Sequence, residues 1–379
     1  MNFDLTQDQE KFRETIREFA IKEVLPIAAE IDENERFPRE TINKMAKNNL
    51  MGIPYPLKYH GAGRDTLSYV LAIEEISRVC AATGDILSAH ISLACHPIFQ
   101  FGNKQQMDKY LIGMNEGTLL GAFGLTEPEA GTDSAAQTTT AVLRGSHYIL
   151  NGSKIFITNG GEADVYIIFA MTDKSKGTKG ISAFIVEKDF PGFIIGEKQN
   201  KMGIRGSITS RLYFQDCVVP KENLLLEEGK GFSIAMKTLD GGRIGIAAQA
   251  LGIAQGAFDE TVKYMKKRVQ FGKPIASFQG LQWLVADMAV RIDAARLLVY
   301  KAACLKEENK PFSREAATAK LFASETAMKV TTLAVQIFGG RGYMKEYPIE
   351  RMMRDAKITE IYEGTSQVQK MVIARDIFK

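Results

Sequence analysis

Apolar residues along the chain follow three successive rhythms. From residue 1 to about 118 they recur at steps of three and four. Phe12, Ile16, Phe19 and Ala20 mark one face of a helix whose start carries the capping pair Thr6 and Gln9, and Pro26 is expected to end that run. A second helix is expected from Pro38, which suits a first helical turn, and carries Ile42, Met45 and Leu50. "HGAG" at 60–63 reads as a loop, and "LSYVLAIEEISRVC" then resumes the helical period.

Between about 119 and 230 the apolar runs shorten and become rich in β-branched and aromatic residues. "TTTAVL" and "HYIL" flank Arg144-Gly145-Ser146 as a hairpin, while "DVYIIFAM", "GISAFIVEK" and "RLYFQDCVV" read as strands separated by glycine and proline. The helical period returns in four stretches near 231–267, 278–308, 313–338 and 348–377. Leu281, Leu284, Met288, Ile292, Ala295 and Leu298 form a packing stripe in the second, and Ala316, Ala317, Ala319, Ala323 and Ala327 crowd the third. The pattern predicts an α+β multidomain chain: an N-terminal all-α domain at 1–118, a middle β-barrel or sandwich domain at 119–230, and a C-terminal four-helix bundle at 231–379. Clefts are expected at the junctions, where ligand sites tend to form.

Composition narrows the function classes. With 379 residues the chain exceeds one compact core, and 45% apolar with 25% charged residues is the balance of an ordinary globular protein. The net charge of +3 is small, and the densest basic run, "KYMKKRVQFGK", is interleaved with apolar residues, so no nucleic-acid partner is expected. The sequence contains no run of 18 apolar residues, and no membrane span is expected. The start "MNFDLTQDQEKFRETI" is polar and acidic, unlike a secretory or transit segment, and a cytoplasmic protein is expected. Cys80, Cys95, Cys217 and Cys304 are far apart, and the four histidines form no HExxH pair, so neither disulfides nor a metal centre is indicated.

Several stretches could carry chemistry. "DAKITEIYEGTSQVQ" at 355–369 is a helical segment broken where Glu363 precedes Gly364, Thr365 and Ser366. Glycine frees the backbone and the hydroxyls can cap a new helix, so Glu363 sits on a bend, either as a solvated turn acid or pointing into a cleft. "GAFGLTEPEAGTDSAAQTTT" at 121–140 offers hydroxyls and bare backbone to a polar heterocycle or pyrophosphate, or is a polar connector. In "NGSKIFITNGG" at 151–161, Phe156 and Thr158 share one face, suited to stacking on a ring and bonding its edge. Asp240 and Arg243 lie on one side of a helix, usually a surface ion pair, although such an Arg can hold a phosphate. "RVQFGKPIASFQ" at 268–279 reads as an interhelical loop, and "QIFGGRGY" at 336–343 as a helix end with bare backbone. Neither GxGxxG in a βαβ unit nor a P-loop is present.

These motifs together resemble the acyl-CoA dehydrogenases along essentially the whole chain, most closely the short-chain, butyryl-CoA-oxidising branch of anaerobic bacteria. "FGLTEPEAGTD", "KIFITNGG", "LDGGRIGIAAQALG", "RVQFGKP", "QIFGGRGY" and "MRDAKITEIYEGTSQVQ" occur in the family's order and roughly its spacing. The resemblance implies FAD as cofactor, a homotetramer built as a dimer of dimers with flavin sites across a subunit interface, and an electron-transferring flavoprotein as partner. Phe123, Leu125, Thr126, Gly131, Thr132, Phe156, Ile157 and Thr158 would surround the flavin and pyrophosphate. Arg268, Gln270, Phe278, Gln279, Gln336, Ile337, Gly339 and Gly340 would hold the adenosine diphosphate part from the adjoining subunit, and Thr365 and Gln367 would complete the site. Thr132, Asp240, Arg243, Tyr362 and Gly364 match acyl-CoA-binding positions, and Glu363 matches the catalytic base.

The implied reaction turns a saturated acyl thioester into a trans-2-enoyl thioester, with a proton leaving the α carbon and a hydride the β carbon. Glu363 would take the proton, and its own backbone N–H, freed by the bend, would face the negative charge developing on the thioester oxygen. Against apolar surface its carboxyl should resist ionisation. Three departures from the family pattern matter. Gly242 stands where some relatives carry their base, Phe156 replaces a common tryptophan, and no arginine lies between Arg78 and Arg144, where glutaryl-specific relatives place one. A short-chain monocarboxylate such as butyryl-CoA is therefore expected. Rivals are the same site run as a 2-enoyl-CoA reductase on crotonyl-, acryloyl- or aryl-acrylyl-CoA, a flavin oxidase or monooxygenase on this scaffold, and a non-catalytic acyl-CoA- or flavin-binding protein.

Overall fold

Thr6 caps the first helix as its sequence predicts. Its hydroxyl accepts from the Gln9 N–H at 3.2 Å, and the Gln9 side chain accepts from the Thr6 N–H at 3.0 Å. The computed structural model describes residues 4–379; the first three, part of the polar start that predicts no leader, lie outside that description.

Helices α1 (Gln7–Phe19), α2 (Ala28–Glu33), α3 (Arg39–Lys47), α4 (Thr66–Ser77), α5 (Ala81–Ser88), α6 (His96–Phe101), α7 (Lys104–Gln106) and α8 (Ile112–Glu116) build the N-terminal part. Pro26 does not end the first run. The chain widens by one turn at Ala20–Val24 and tightens at Leu25–Ile27, so Pro26 falls in the opening turn of a new helical segment, where its missing N–H costs nothing. Pro38 caps α3 from outside rather than lying in its first turn, and Leu50 lies beyond the helix, held in the core by the reversal at Asn49.

Strands β1 (Gly121–Gly124), β2 (Thr140–Arg144), β3 (His147–Thr158), β4 (Val165–Met171), β5 (Ile181–Glu187), β6 (Phe193–Lys198) and β7 (Thr209–Pro220) form one seven-stranded mixed sheet. The predicted hairpin is present: Arg144 pairs with His147, and Gly145 supplies the positive φ that its tight turn requires. β4, buried along its whole length, pairs with β5 on one side; on the other it meets β1 from Val165 to Ile168 and β2 at Met171. The loop 125–139 leaves the sheet where β1 gives way to β2 beside β4.

The C-terminal part is built on α9 (Gly231–Lys267). A two-stranded hairpin, β8 (Val269–Gln270) with β9 (Lys273–Pro274), leads into α10 (Gln279–Glu307) and α11 (Ser313–Phe338). Met288, Ile292 and Ala295 of the predicted stripe are buried, and the five alanines of α11 are fully covered where it packs along α9. The last helical stretch divides into α12 (Ile349–Ile358) and α13 (Ser366–Ile377), with Glu363 in the gap. Helical, sheet and helical parts thus follow one another as the sequence pattern predicts, the expected barrel or sandwich being a single mixed sheet of seven strands.

The three parts are joined by directed polar contacts. The Gly121 N–H donates to His90 Nδ1 at 3.0 Å, Asn159 Nδ2 donates to the Ile86 and Gly121 carbonyls, and Asp355 Oδ1 accepts from the Ile204 N–H at 2.5 Å.

Candidate active site

Glu363 adopts φ +51, the left-handed region, and Gly364 follows at φ +94. Thr365 then caps α13 through its hydroxyl, which accepts from the Val368 N–H at 3.3 Å. The bend is pinned from beneath: Lys320 Nζ and Gln369 Nε2 each donate to the Gly364 carbonyl at 2.7 Å. The Glu363 N–H donates to no described residue, so the break frees a backbone donor beside the acid.

The carboxyl is not a solvated turn acid. Its Oε2 is fully covered and has no hydrogen-bond partner among the described residues. It lies against Gly242 of α9: a Cβ there would stand 2.1 Å from Oε2 and 2.8 Å from Leu93 Cδ2. Burial, then the negative charge of Asp85, pushes the carboxyl up to about 8, against the pull of Lys320 and Arg243. Tyr362 hydrogen-bonds Gln249, whose Nε2 donates to the Ala81 carbonyl at 2.9 Å.

Of the two readings of Asp240 and Arg243, the surface ion pair is excluded. Their charged atoms meet at 2.5 Å, but Arg243 is buried and its Nε has no partner, so this is no surface pair. The reason is the setting of α9, whose flanking turns are enclosed by α4, α5 and α11.

On the sheet, a register shift between Lys154 and Ile157 puts Phe156 at φ +60. Its ring is 62% exposed while Ile155 and Ile157 turn inward, the alternation the sequence predicts. Thr158 is half-buried at the strand end. Phe123 packs on Phe169 with ring centroids 5.0 Å apart. Leu125 and Ile157 are buried, so only their main chain can meet a ligand. Thr126 pairs its carbonyl with the Ile155 N–H at 2.9 Å, Gly131 has open space at its missing Cβ, and Thr132 is exposed. Beneath this loop Lys154 is fully buried, with Nζ 2.8 Å from Glu127 and 2.9 Å from Gln137. Glu127 in turn accepts from the Thr138 and Thr139 N–H groups.

The third group lies elsewhere. Arg268, Gln270, Phe278, Ile337, Gly339 and Gly340 line a cavity of about 740 Å³ that includes none of the sheet or bend residues named above. A Cβ at Gly339 or Gly340 would meet nothing within 4 Å. Gln279 begins α10 at its edge, and Gln336 lies exposed in the last turn of α11. Gln367 is exposed on the first turn of α13.

Family models cover nearly the whole chain. The acyl-CoA dehydrogenase N-terminal domain matches residues 6–118, the middle domain 122–217 and the C-terminal domain 229–378. The chain belongs to the acyl-CoA dehydrogenase family. It is thus an enzyme, an oxidoreductase, and its family is one of flavoproteins. It is 62% identical over 379 residues to the short-chain specific acyl-CoA dehydrogenase of Clostridium acetobutylicum, each chain covered in full. It superimposes with TM-score 0.98 on butyryl-CoA dehydrogenase from Megasphaera elsdenii, at 54% identity and full coverage of both. A chain in a structure described as electron transferring flavoprotein of Acidaminococcus fermentans, towards a mechanism of flavin-based electron bifurcation, matches at 58% identity and TM-score 0.99, again over the whole of both.

The acyl-CoA dehydrogenase resemblance named Glu363 and its neighbours but not Asp85, Lys320 or Gln369. Asp85 and Lys320 each carry a signal, a charge at a buried phase of an apolar run: Asp85 in "CAATGDILSAH" and Lys320 between Ala316 and Ala323. The described residues contain no cluster able to hold a metal, and no described helix is long and apolar enough to cross a membrane.

Proposed function

We propose that the chain catalyses the FAD-dependent α,β-dehydrogenation of a short-chain acyl-CoA, butyryl-CoA to crotonyl-CoA, and exchanges electrons with an electron-transferring flavoprotein. The observation that carries this reading is the Glu363 bend, where a carboxyl with one covered, unbonded oxygen and an uncommitted backbone N–H belong to one residue. Glu363 takes the α proton, and its N–H meets the charge that develops on the thioester oxygen. Tyr362 and Gly364 flank the acyl group, and Asp240 with Arg243 and Thr132 hold the CoA portion. Arg243 suits that role because its buried Nε lacks a partner.

The residues fit a dinucleotide flavin. Exposed Phe156 offers a ring face, Thr126, Thr158 and Thr132 offer hydroxyls, and the open backbone at Gly339 and Gly340 beside Arg268 and Phe278 offers a cradle for a charged nucleotide. FAD, when bound, supplies the hydride acceptor. The separation of these two groups within one chain supports a site completed by a second copy, in a homotetramer. So do Trp283, Val290 and Leu297, exposed at seven-residue steps along α10, and Phe271, which is 93% exposed. Residues 118/119 and 230/231 are the proposed domain boundaries, and the cytoplasm the proposed location.

An anaerobic titration of the flavin-loaded protein with acyl-CoAs of increasing length tests the reading. Bleaching of the flavin band by butyryl-CoA, and little response at twelve carbons, is the expected result; no bleaching by any acyl-CoA would refute it.

A further inference from the structure

Lys320 is a buried cation that the reaction as proposed leaves unused. It stands on α11 among Ala316, Ala317, Ala319 and Ala323, whose small side chains leave room for its stem, and it is fully buried. Among the described residues its ammonium has one hydrogen-bond partner, the Gly364 carbonyl at 2.7 Å, which carries no countercharge. Burying a charge without an opposite one is costly, so the placement asks for a reason.

The bend that it reaches supplies one. Gln369, also fully buried and in the second turn of α13, donates through Nε2 to the same Gly364 carbonyl at 2.7 Å and to the Glu363 carbonyl at 3.3 Å. Two successive carbonyls are thus drawn toward α11 and α13, while the N–H groups of Glu363, Gly364 and Thr365 donate to no described residue. A trans peptide is planar with its C=O and N–H on opposite edges, so holding these carbonyls turns the N–H groups of Gly364 and Thr365 the other way and fixes the peptide that leaves Glu363. Glu363 itself stands at φ +51, a conformation that an L-residue keeps only where its surroundings enforce it. Lys320 and Gln369 are the groups that do so.

We propose that Lys320 and Gln369 are positioning residues that hold the Glu363 carboxyl and the Glu363 N–H in register with a bound thioester, Lys320 doing so with a charge that also favours negative charge on the thioester oxygen. The inference rests on the proposed acyl-CoA chemistry and adds the groups that keep base and oxyanion donor in place. Gln369 shows that a neutral donor can pin the same carbonyl. The ammonium adds a positive field one residue away from the donor N–H, in surroundings shut off from water, where charge acts more strongly.

The test compares flavin-loaded wild type with Lys320→Met, Lys320→Arg, Gln369→Leu and the double variant Lys320→Met/Gln369→Leu at equal flavin content. With butyryl-CoA, Lys320→Met should lower kcat about 100-fold and leave KM within about threefold, the mark of an interaction realised in the transition state. Lys320→Arg should recover at least about tenfold of that loss, because the charge returns. Gln369→Leu should cost about tenfold, and the double variant less than the product of the two, since both side chains act on one carbonyl. A readout free of turnover is 3-oxobutyryl-CoA, whose acidic C2 proton leaves to give an enolate with negative charge on the thioester oxygen and no electron transferred. The pH at which half of the bound ligand is enolate, followed by its absorbance, should rise by about one unit in Lys320→Met and return toward wild type in Lys320→Arg. If Lys320→Met melts earlier but keeps the wild-type kcat per flavin and enolate midpoint, the lysine is structural and the inference is wrong. If Lys320→Met loses its flavin, Gln369→Leu decides: a fall in kcat at unchanged KM supports the inference, and wild-type kcat and midpoint overturn it. If butyryl-CoA bleaches no flavin in wild type, the functional reading itself fails instead.

Discussion

Gly242 and Glu363 occupy adjoining space so closely that one methyl group would not fit between them: a Cβ at 242 would stand 2.1 Å from Glu363 Oε2. A contact this short must be relieved by moving the carboxylate, because Gly242 lies in the middle of α9, whose backbone is packed on several sides. Gly242→Ala should therefore retain flavin and fold while losing on the order of 100-fold in kcat, the penalty of misplacing a reacting group by about 1 Å. Steady-state kinetics with butyryl-CoA, alongside the flavin absorbance ratio, checks this; wild-type turnover would mean that the position of Glu363 does not limit the reaction.

The Lys154–Glu127 pair makes a separate prediction. Both side chains are buried, and Glu127 also orders Thr138 and Thr139 at the far end of the loop 125–139. Lys154→Met would leave a buried carboxylate without its cation, a loss of roughly 3–5 kcal/mol. A lowered melting temperature together with weakened flavin retention is expected, since the loop that would face the flavin loses its anchor. A drop in stability with flavin affinity intact would separate the ion pair from the loop.

Stability should also depend on pH in an unusual sense. Glu363 and Asp85 are raised to about 8 and about 6, above the values of about 4 that carboxyls have in an unfolded chain. Below pH 4 both states hold these protons and no penalty arises. As pH rises the unfolded chain releases them first, so these two groups lower stability progressively until pH passes the folded values. Glu363→Gln removes its share, about 1.4 kcal/mol per unit of displacement as an upper bound. The variant should melt increasingly above wild type between pH 5 and 8. A constant difference across that range would show that Glu363 titrates normally.

Much of this architecture was legible in the chain because its elements follow local rules. The Thr6 and Gln9 capping pair, the turn at Gly145 and the break at Gly364 each state their geometry within four residues. Pro26 misled because a proline ends a helix only if the chain has nowhere to restart, and here Ala28 begins a new segment at once. The burial of Arg243 was not legible for a different reason. Spacing along α9 says which residues share a face, but only the packing of α4, α5 and α11 decides whether that face meets water. Asp85 and Ser207 come together from 122 positions apart, and Lys320 reaches Gly364 across 44, so no local pattern announces either contact. Their one trace in sequence is a charge in an apolar rhythm.

The central claim is that Glu363 moves the α proton. Its most direct measurement is deuterium entry at C2 of butyryl-CoA in heavy water under anaerobic conditions, compared between wild type and Glu363→Gln at equal flavin content. The account predicts rapid exchange in wild type and a fall of about 10²–10⁴-fold in the variant, with flavin binding unchanged. Equal exchange in the two proteins would contradict it and assign the proton to another group.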